Sequence, residues 1–158
     1  MKRILALAAV TSLALAAVAH AAVINGTSRP DVLVGTSDAD SISGRGGADT
    51  IRGGNGRDRI SGGDGADVID GGSDADTIQG DSGADRMSGG DGADRLSGGS
   101  GADRIVGGAG ADAIYGASGA DRISARDGTR DVIACGSGRD RVSADAAYVL
   151  VGCEVVGR

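Results

Sequence analysis

The chain has 158 residues, a formal net charge of −6, 31 glycines and one proline, and it lacks phenylalanine and tryptophan. Leucine, isoleucine and valine together make up about a fifth of the residues, which is near the limit below which chains stay unfolded on their own. This composition argues against an ordinary globular core, so another source of folding energy is needed. The acidic balance and the single lysine also argue against nucleic acid or an anionic membrane as the main partner and favour a cation.

The first residues have the pattern of a signal peptide. Lys2 and Arg3 precede an apolar run that is too short to span a bilayer comfortably, and Ala19 and Ala21 supply small residues where a signal peptidase reads them. We expect residues 1–21 to be cleaved off, which predicts a secreted, extracellular protein without membrane insertion. The alternative is an uncleaved anchor, but no positively charged flank follows the apolar run.

A nine-residue period runs from Gly26 to Ser124 without insertion or deletion. Each of its eleven copies has glycine at the first position, aspartate at the sixth, and an aliphatic residue or methionine at the eighth. A single copy cannot bury its one apolar side chain, so the copies must stack into a solenoid to form a continuous core. We expect a three-residue strand around each eighth position and a six-residue glycine-rich turn before it.

The copies read Gly-Gly-x-Gly-x-Asp-x-aliphatic-x, as in residues 53–61, 62–70 and 89–97. This motif resembles the RTX, or haemolysin-type, calcium-binding nonapeptide repeat. The resemblance implies an all-β fold, a parallel β-roll that is a two-sheet solenoid with eighteen residues per turn. We assign the roll to residues 22–143 and a carboxyl-terminal cap to residues 144–158.

Turns of eighteen residues would place the aspartates of alternate copies about 4.7–4.9 Å apart, where like charges repel each other. Calcium accepts six to eight oxygens at about 2.3–2.6 Å and can therefore bridge two turns. The resemblance implies that each ion takes the first and third carbonyls and the aspartate of one loop, and the second and fourth carbonyls and the aspartate of the next. The predicted calcium-binding aspartates are Asp40, Asp49, Asp58, Asp67, Asp76, Asp85, Asp94, Asp103, Asp112 and Asp121.

Five loops carry the complete pattern, and glycine recurs in them because converging carbonyls require backbone angles that side chains resist. At the third position, Asn55, Asp64 and Asp91 add further oxygen acceptors. The predicted loop residues of the calcium sites are Gly53, Gly54, Asn55, Gly56, Gly62, Gly63, Asp64, Gly65, Gly89, Gly90, Asp91, Gly92, Gly98, Gly99, Gly101, Gly107, Gly108 and Gly110.

Other loops depart from the pattern. Thr27 and Thr36 replace the second glycine in the first two copies, and Arg45, Asp81 and Ala117 replace it in three later ones. Two copies have aspartate at the fourth position, which tolerates left-handed backbone better than most residues do, so these loops are expected to close; the residues are Asp38 and Asp74. We expect the weakest sites at the amino end.

Other cation chemistries fit less well. An EF-hand needs an acidic residue at the twelfth loop place, and Glu154 is the only glutamate. Magnesium demands octahedral geometry and sheds water reluctantly, which disfavours a carbonyl cage. The remaining alternative is a metal-free solenoid whose aspartates cap turns through local hydrogen bonds.

Two cysteines, Cys135 and Cys153, are eighteen residues apart, which is one turn of the implied roll. If the roll continues to this point, their Cα atoms stack within disulfide range, and an exported chain permits the bond. A zinc site or a reactive thiol are the competing interpretations, but no companion histidine or further cysteine is available.

The sequence therefore predicts an exported protein that binds several calcium ions and is not an enzyme, because the chain after residue 21 has no histidine, no lysine and one glutamate. The alternative is a surface adhesin or structural solenoid in which calcium is purely structural. A protein or polysaccharide partner is not identified by the sequence. Arg86, Arg104 and Arg122 recur one turn apart, which indicates a solvated face, with an anion-binding strip as the alternative.

Overall fold

The computed structural model describes residues 20–145 and 148–153, and the strands in this part of the chain alternate between two parallel sheets. Odd-numbered strands form the eight-stranded sheet, and even-numbered strands form the seven-stranded sheet. In chain order the strands are β1 Val23–Asn25, β2 Val32–Val34, β3 Ser41–Gly46, β4 Thr50–Asn55, β5 Arg59–Asp64, β6 Val68–Ser73, β7 Thr77–Ser82, β8 Arg86–Asp91, β9 Arg95–Ser100, β10 Arg104–Ala109, β11 Ala113–Ser118, β12 Arg122–Ala125, β13 Asp131–Ser137, β14 Arg141–Ala144 and β15 Tyr148–Val151.

The strand register gives a solenoid with about eighteen residues per turn. Ile42 pairs with Ile60 in one sheet, and Ile51 pairs with Ile69 in the other. Every pairing in the two sheets is parallel, so the predicted all-β parallel roll is confirmed. No helix among the described residues is long and apolar enough to cross a membrane.

The core is built from the eighth-position side chains, and those from Ile42 to Ile123 are at most 3% exposed. Burying each such side chain contributes about 1.5–3 kcal/mol, so the stack acquires its core one residue per copy. The strand register places these side chains in two columns: one holds Ile42, Ile60, Ile78, Leu96 and Ile114, and the other holds Leu33, Ile51, Ile69, Met87, Ile105 and Ile123.

The strands are longer than the sequence predicted. From β3 to β11 each strand spans six residues instead of three, because it continues through the first three positions of the next copy. Gly90 in β8, for example, pairs with Gly72 in β6 and with Gly108 in β10. Glycine is normally unfavourable in strands, but here the absence of side chains lets the backbones of successive turns pair, so only positions four to six form the turn.

The period changes length near the carboxyl end without breaking the roll. Ala113 of β11 pairs with Val132 of β13, so this turn has nineteen residues. The extra residue is accommodated in the exposed segment 126–130, after which the strand pattern resumes. The final pairing of Asp131 with Tyr148 shortens the last turn to seventeen residues.

The predicted disulfide between Cys135 and Cys153 is present, with a Cα–Cα distance of 5.1 Å. It joins the end of the roll to the residues that follow β15, and both cysteines lie in or against the hydrophobic core. Because both sulfurs are in this bond, the zinc and free-thiol interpretations are excluded.

Two of the predicted segments are only partly covered by the described residues. The proposed signal peptide, residues 1–21, has only its last two residues described, and the proposed cap, residues 144–158, is described at 144–145 and 148–153. Their boundaries remain predictions.

Candidate calcium site

The sixth-position aspartates form two buried columns, one beneath the loops on each side of the roll. Asp49 immediately precedes β4 and Asp58 immediately precedes β5, and the same placement holds in the other copies. The parallel strand register stacks the aspartates of successive turns above one another. Carboxylates are seldom this buried without a partner. Their exposed fractions range from 0 to 4% for Asp40, Asp49, Asp58, Asp67, Asp76, Asp85, Asp94, Asp103, Asp112, Asp121, Asp131 and Asp140.

From Asp40 onward, one carboxylate oxygen of each aspartate is held by the turn before it. The backbone N–H of Asp58 donates to Oδ1 of Asp76 over 2.8 Å, and that of Asp76 donates to Oδ1 of Asp94 over 2.8 Å. The same bond recurs down both columns as far as Asp140. The columns are therefore continuous ladders of bonds from backbone to carboxylate, which fix each Oδ1.

The second carboxylate oxygen has no such partner in most copies. Buried polar atoms are hydrogen-bonded in the great majority of cases, and leaving one unpaired costs about 1–3 kcal/mol. A stack of buried, unpartnered anionic oxygens therefore calls for a cation or a proton. The Oδ2 atoms that lie buried without a donor belong to Asp49, Asp58, Asp67, Asp76, Asp85, Asp94, Asp103, Asp112 and Asp121.

The first glycine of each loop leaves room for oxygens to meet. A Cβ placed on Gly53 would collide with Oδ2 of Asp58 and with the carbonyl oxygen of Gly71, one turn further along the chain. The same pair of oxygens faces the first glycine in the next five copies. Carbonyl and carboxylate oxygens are the donors that calcium prefers, so the residues present fit a hard cation of this type.

The backbone at the second loop position is left-handed in nine of the eleven copies. Six of these residues are glycines with φ between 101° and 114°, the first of them Gly54. Arg45, Asp81 and Ala117 adopt φ values of 74°, 70° and 74° at the same position, although they carry side chains. These three departures from the motif therefore keep the loop geometry, and Asp49, Asp85 and Asp121 in the same copies retain an unpartnered Oδ2.

The two aspartates at the fourth position behave differently. Asp74 adopts a φ of 76°, as expected for an aspartate that replaces glycine in a left-handed turn. Asp38 is not in the left-handed region; its backbone N–H instead donates to the hydroxyl of Thr36 over 3.2 Å. The second copy therefore differs from the loops that follow it at both its second and its fourth position.

The third-position side chains are not brought to the buried carboxylates. Asn55, Asp64 and Asp91 are exposed on the outer side of their loops. The backbone carbonyl of Asp64 accepts a hydrogen bond from Gly47, one turn earlier, over 2.8 Å. No group of three or more histidine, cysteine, aspartate or glutamate side chains converges on one point among the described residues. The oxygens around Oδ2 are mainly those of the backbone.

Burial raises the pKa of most carboxyls in the columns. For Asp76, burial together with the charges of Asp58 and Asp94 raises the pKa to about 7. Burial, with a smaller effect of neighbouring aspartates, raises the pKa of Asp85, Asp112 and Asp121 to about 6. The columns therefore hold carboxyls that resist ionisation until an external positive charge compensates them.

The pKa of Asp40 moves in the opposite direction. Burial acts to raise it, but hydrogen bonds from the backbone of Ala22 and from the backbone and hydroxyl of Thr36 lower the pKa below its ordinary value of 3.8. These donors already stabilise the ionised carboxylate, which needs no further partner.

Two column members were not among the predicted ligands. Asp131 and Asp140 continue the two ladders by accepting from the backbone of Asp112 and Asp121, each over 2.9 Å. One inserted residue before Asp131 interrupts the nine-residue period, so Asp131 does not fall at a sixth position and was not predicted as a ligand. The Asp-x-aliphatic pattern at 131–133 was the signal that could have identified it.

Comparison with known proteins agrees with this geometry. The profile of the RTX calcium-binding nonapeptide repeat, in four-copy units, matches residues 25–60, 52–87, 61–96, 88–123 and 97–132. No curated protein sequence matches the chain. The matched segments overlap and span most of the described roll, including every loop with an unpartnered Oδ2. The chain belongs to the family of RTX calcium-binding nonapeptide repeat proteins.

Proposed function

We propose that this chain is a secreted calcium-binding protein whose repeats fold into the β-roll as several calcium ions bind between successive turns. The observation that carries the proposal is the set of nine buried Oδ2 atoms without a hydrogen-bond donor. For eight of them a backbone carbonyl oxygen of the next turn meets the same space, the exception being Asp112, so an oxygen-preferring cation would remove their desolvation penalty. The predicted loop glycines and sixth-position aspartates are the residues that would hold the ions.

Folding and ion binding would form one event in such a chain. The backbone N–H of Asp58 donates to Oδ1 of Asp76, which brings the like-charged carboxylates of successive turns near each other, and the side-chain core has one residue per copy. Glycine-rich segments lose much backbone entropy on ordering. An ion that bridges two turns binds the stacked state and not the open chain, so its binding energy becomes folding energy.

Export fits the same mechanism. Extracellular calcium modules bind at about 10⁻⁴ to 10⁻³ M, far above cytosolic calcium levels, so the chain would remain unfolded until it leaves the cell. Residues 1–21 are the proposed signal. The intact mass of the exported protein should correspond to a chain that starts at Ala22 or Val23, and a mass that retains Met1 to Ala21 would contradict export by cleavage.

A non-enzymatic role is part of the proposal. The carboxyls with raised pKa values all belong to the repeated ladder, where each accepts from the backbone of the aspartate one turn earlier, and none is distinguished as a general acid or base. Repetition of one arrangement along the whole stack fits ion binding better than a single catalytic centre.

Isothermal titration with calcium tests the binding step. The chain lacking residues 1–21 should take up several calcium ions and release heat in a calcium titration, and a parallel magnesium titration should give a much smaller response. Asp76→Asn should reduce the number of ions bound, because it removes charge at a buried Oδ2. Asp70→Asn is the matched control, since Asp70 is exposed on the outside of β6. Equal calcium stoichiometry for the two variants, or no calcium response at all, would contradict the proposal.

A second candidate function is attachment to an extended anionic polymer, which one surface feature favours. Arg104 pairs in register with Arg86 and Arg122, and Arg122 pairs with Arg141. All four arginines are exposed, and the outward residues two places further along the same strands are Ser88, Val106, Ser124 and Ser143, none of which is acidic. A groove of about 430 Å³ runs along Arg86, Arg104 and Arg122, and the buried Asp85 and Asp103 also line it. Like charges opposite one another repel, and a polyanion would relieve that repulsion.

Retention on an acidic polysaccharide column tests this second candidate. A variant with all four arginines of the row changed to glutamine should lose salt-sensitive retention in calcium. A control variant with Arg45, Arg52, Arg57 and Arg59 changed to glutamine has the same net charge as the first variant. It should keep most of the salt-sensitive retention. Equal retention of both variants would show that only the net charge of the protein matters. Stronger binding to single-stranded DNA than to the polysaccharide would reject a polysaccharide partner.

A further inference from the structure

The first two copies satisfy their aspartates from within their own loops. The backbone N–H of Thr36 donates to Oδ2 of Asp40 over 2.5 Å, and the Thr36 hydroxyl donates to Oδ1 over 3.1 Å. In the first copy the N–H and the hydroxyl of Thr27 both donate to Oδ2 of Asp31, over 2.6 and 2.9 Å. A threonine at the second position thus supplies two donors to the carboxylate of its own copy.

In every copy, the presence of a hydrogen-bond donor to the aspartate Oδ2 correlates with the φ angle of the residue at the second position. The nine copies with a left-handed second residue are the nine whose aspartate Oδ2 is buried without a donor. The two copies with threonine have neither feature. Even Arg45, Asp81 and Ala117 follow the rule, so a side chain at the second position does not by itself give Oδ2 a donor.

The physical reason lies in the peptide unit before the second residue. A β-branched residue strongly disfavours positive φ, so Thr36 keeps its N–H directed at Asp40. A left-handed residue turns the same N–H away, and Oδ2 then has no donor. The threonine loop therefore satisfies its aspartate with its own donors, whereas the other loops leave theirs to an external positive charge.

We propose that Thr27 and Thr36 close the first two loops against calcium, so that the array of bridged aspartates begins at Asp49. This assignment rests on the proposed calcium-binding function and revises the predicted role of Asp40 as a ligand. The first turn of the roll would then be held without metal, by hydrogen bonds and by the packing of Ile24 and Leu33 against the core. It would present an ordered edge on which the first calcium-binding loops stack.

A pair of substitutions can open the second loop. Residues 35–40 read Gly-Thr-Ser-Asp-Ala-Asp, and residues 98–103 read Gly-Gly-Ser-Gly-Ala-Asp. The double variant Thr36→Gly/Asp38→Gly makes the second loop identical to the later one. The loop one turn further on, residues 53–58, has the complete pattern, so the variant should create one additional site between Asp40 and Asp58.

The experiment counts bound calcium per chain by equilibrium dialysis and elemental analysis at saturating calcium, using the chain without residues 1–21. The double variant should hold one more ion than the unchanged chain. Asp38→Gly alone should hold no more, because Thr36 still closes Asp40, and Asp40→Asn in the otherwise unchanged chain should not lower the count. Circular dichroism of each variant in calcium verifies the β-roll.

A double variant with an unchanged count, or a loss of one ion in Asp40→Asn, would overturn the assignment while leaving the calcium-binding function intact. A gain of one ion in Asp38→Gly alone would also overturn it, because it would show that the fourth position and not Thr36 closes the loop. An unchanged chain that binds no calcium would reject the proposed function and this assignment with it.

Discussion

The backbone N–H of Asp58 donates to Oδ1 of Asp76 over 2.8 Å, while Oδ2 of Asp76 is buried without a donor. One side chain thus has two roles, since it ties its turn to the previous one and leaves a negative oxygen to be neutralised. Replacing the aspartate removes both. The repeat therefore couples the stacking of turns to the binding of charge.

Loss of a complete site should cost more affinity than loss of a closed one. Asp94→Ala removes a carboxylate with an unpartnered Oδ2, whereas Asp31→Ala removes one that Thr27 already satisfies. We expect Asp94→Ala to weaken apparent calcium affinity by about tenfold or more, equivalent to ~1.4 kcal/mol, and Asp31→Ala to change it little. Superimposable calcium titration curves for the two variants would contradict this ranking.

Close approach of successive turns should make some glycines irreplaceable. Gly101 has a φ of 136°, and a Cβ there would collide with the carbonyl of Gly83, whereas Gly128 has a φ of 87° with nothing within 4 Å of its Cβ position. Gly128→Ala should cost about 1–2 kcal/mol for its backbone conformation. Gly101→Ala should add about 1–3 kcal/mol of steric overlap.

Urea unfolding in saturating calcium measures the difference between these two variants. Both have positive φ, so Gly128→Ala controls for backbone strain. Equal midpoints would show that the turns are not packed as closely as the structure has them.

The disulfide should stabilise the carboxyl end of the roll. Cys135 and Cys153 close a loop of one turn, and in the chain-entropy description a loop of this size contributes about 3 kcal/mol. The double variant Cys135→Ser/Cys153→Ser should therefore unfold at lower urea concentration in calcium. A non-reducing peptide map of the unchanged exported protein should recover the linked pair, and two free thiols would contradict the assignment.

Acid should partly replace calcium. Burial raises the pKa of Asp76 to about 7 and those of Asp85 and Asp112 to about 6, against an ordinary value of 3.8. A raised pKa in the folded state gives stability that is present below about pH 4 and is lost as the pH rises through about 6 to 7. The calcium-free chain should therefore show more β-structure at about pH 4 than at about pH 8.

Circular dichroism of a metal-stripped sample across this range checks the effect of acid. Saturating calcium is the control, because it should keep the β signal high at about pH 8. A calcium-free signal that is constant or increases with pH would show that the buried carboxyls do not limit folding.

Much of this fold could be predicted from the sequence because one period governs it. The nine-residue spacing of Ile42, Ile51 and Ile60 predicted a stacked core, and the resemblance to RTX repeats implied the two-sheet roll. On that implied roll, the spacing of Cys135 and Cys153 predicted the disulfide. The six-residue strands were not predicted, because glycine disfavours strands unless neighbouring turns are already in place. This condition depends on the assembled stack and is absent from any single copy.

The site could be predicted less completely. The sixth-position aspartates were found by their repetition, but Asp131 was hidden by one inserted residue. The hydrogen bonds from the N–H and hydroxyl of Thr36 to Asp40 were also not predicted, because the direction of the N–H depends on backbone angles that the sequence alone does not give. The third-position Asp64 and Asp91 were predicted as additional acceptors, and their side chains lie on the exposed side of the loops.

Calcium titration followed by far-ultraviolet circular dichroism tests the central claim most directly. The sample is the chain without residues 1–21, with the disulfide intact, titrated with calcium from excess chelator beside a magnesium control. We expect a largely disordered spectrum in chelator and a cooperative rise of β signal as calcium reaches about 10⁻⁴ to 10⁻³ M, without a comparable rise in magnesium. A full β spectrum in chelator that millimolar calcium leaves unchanged would contradict calcium-dependent folding.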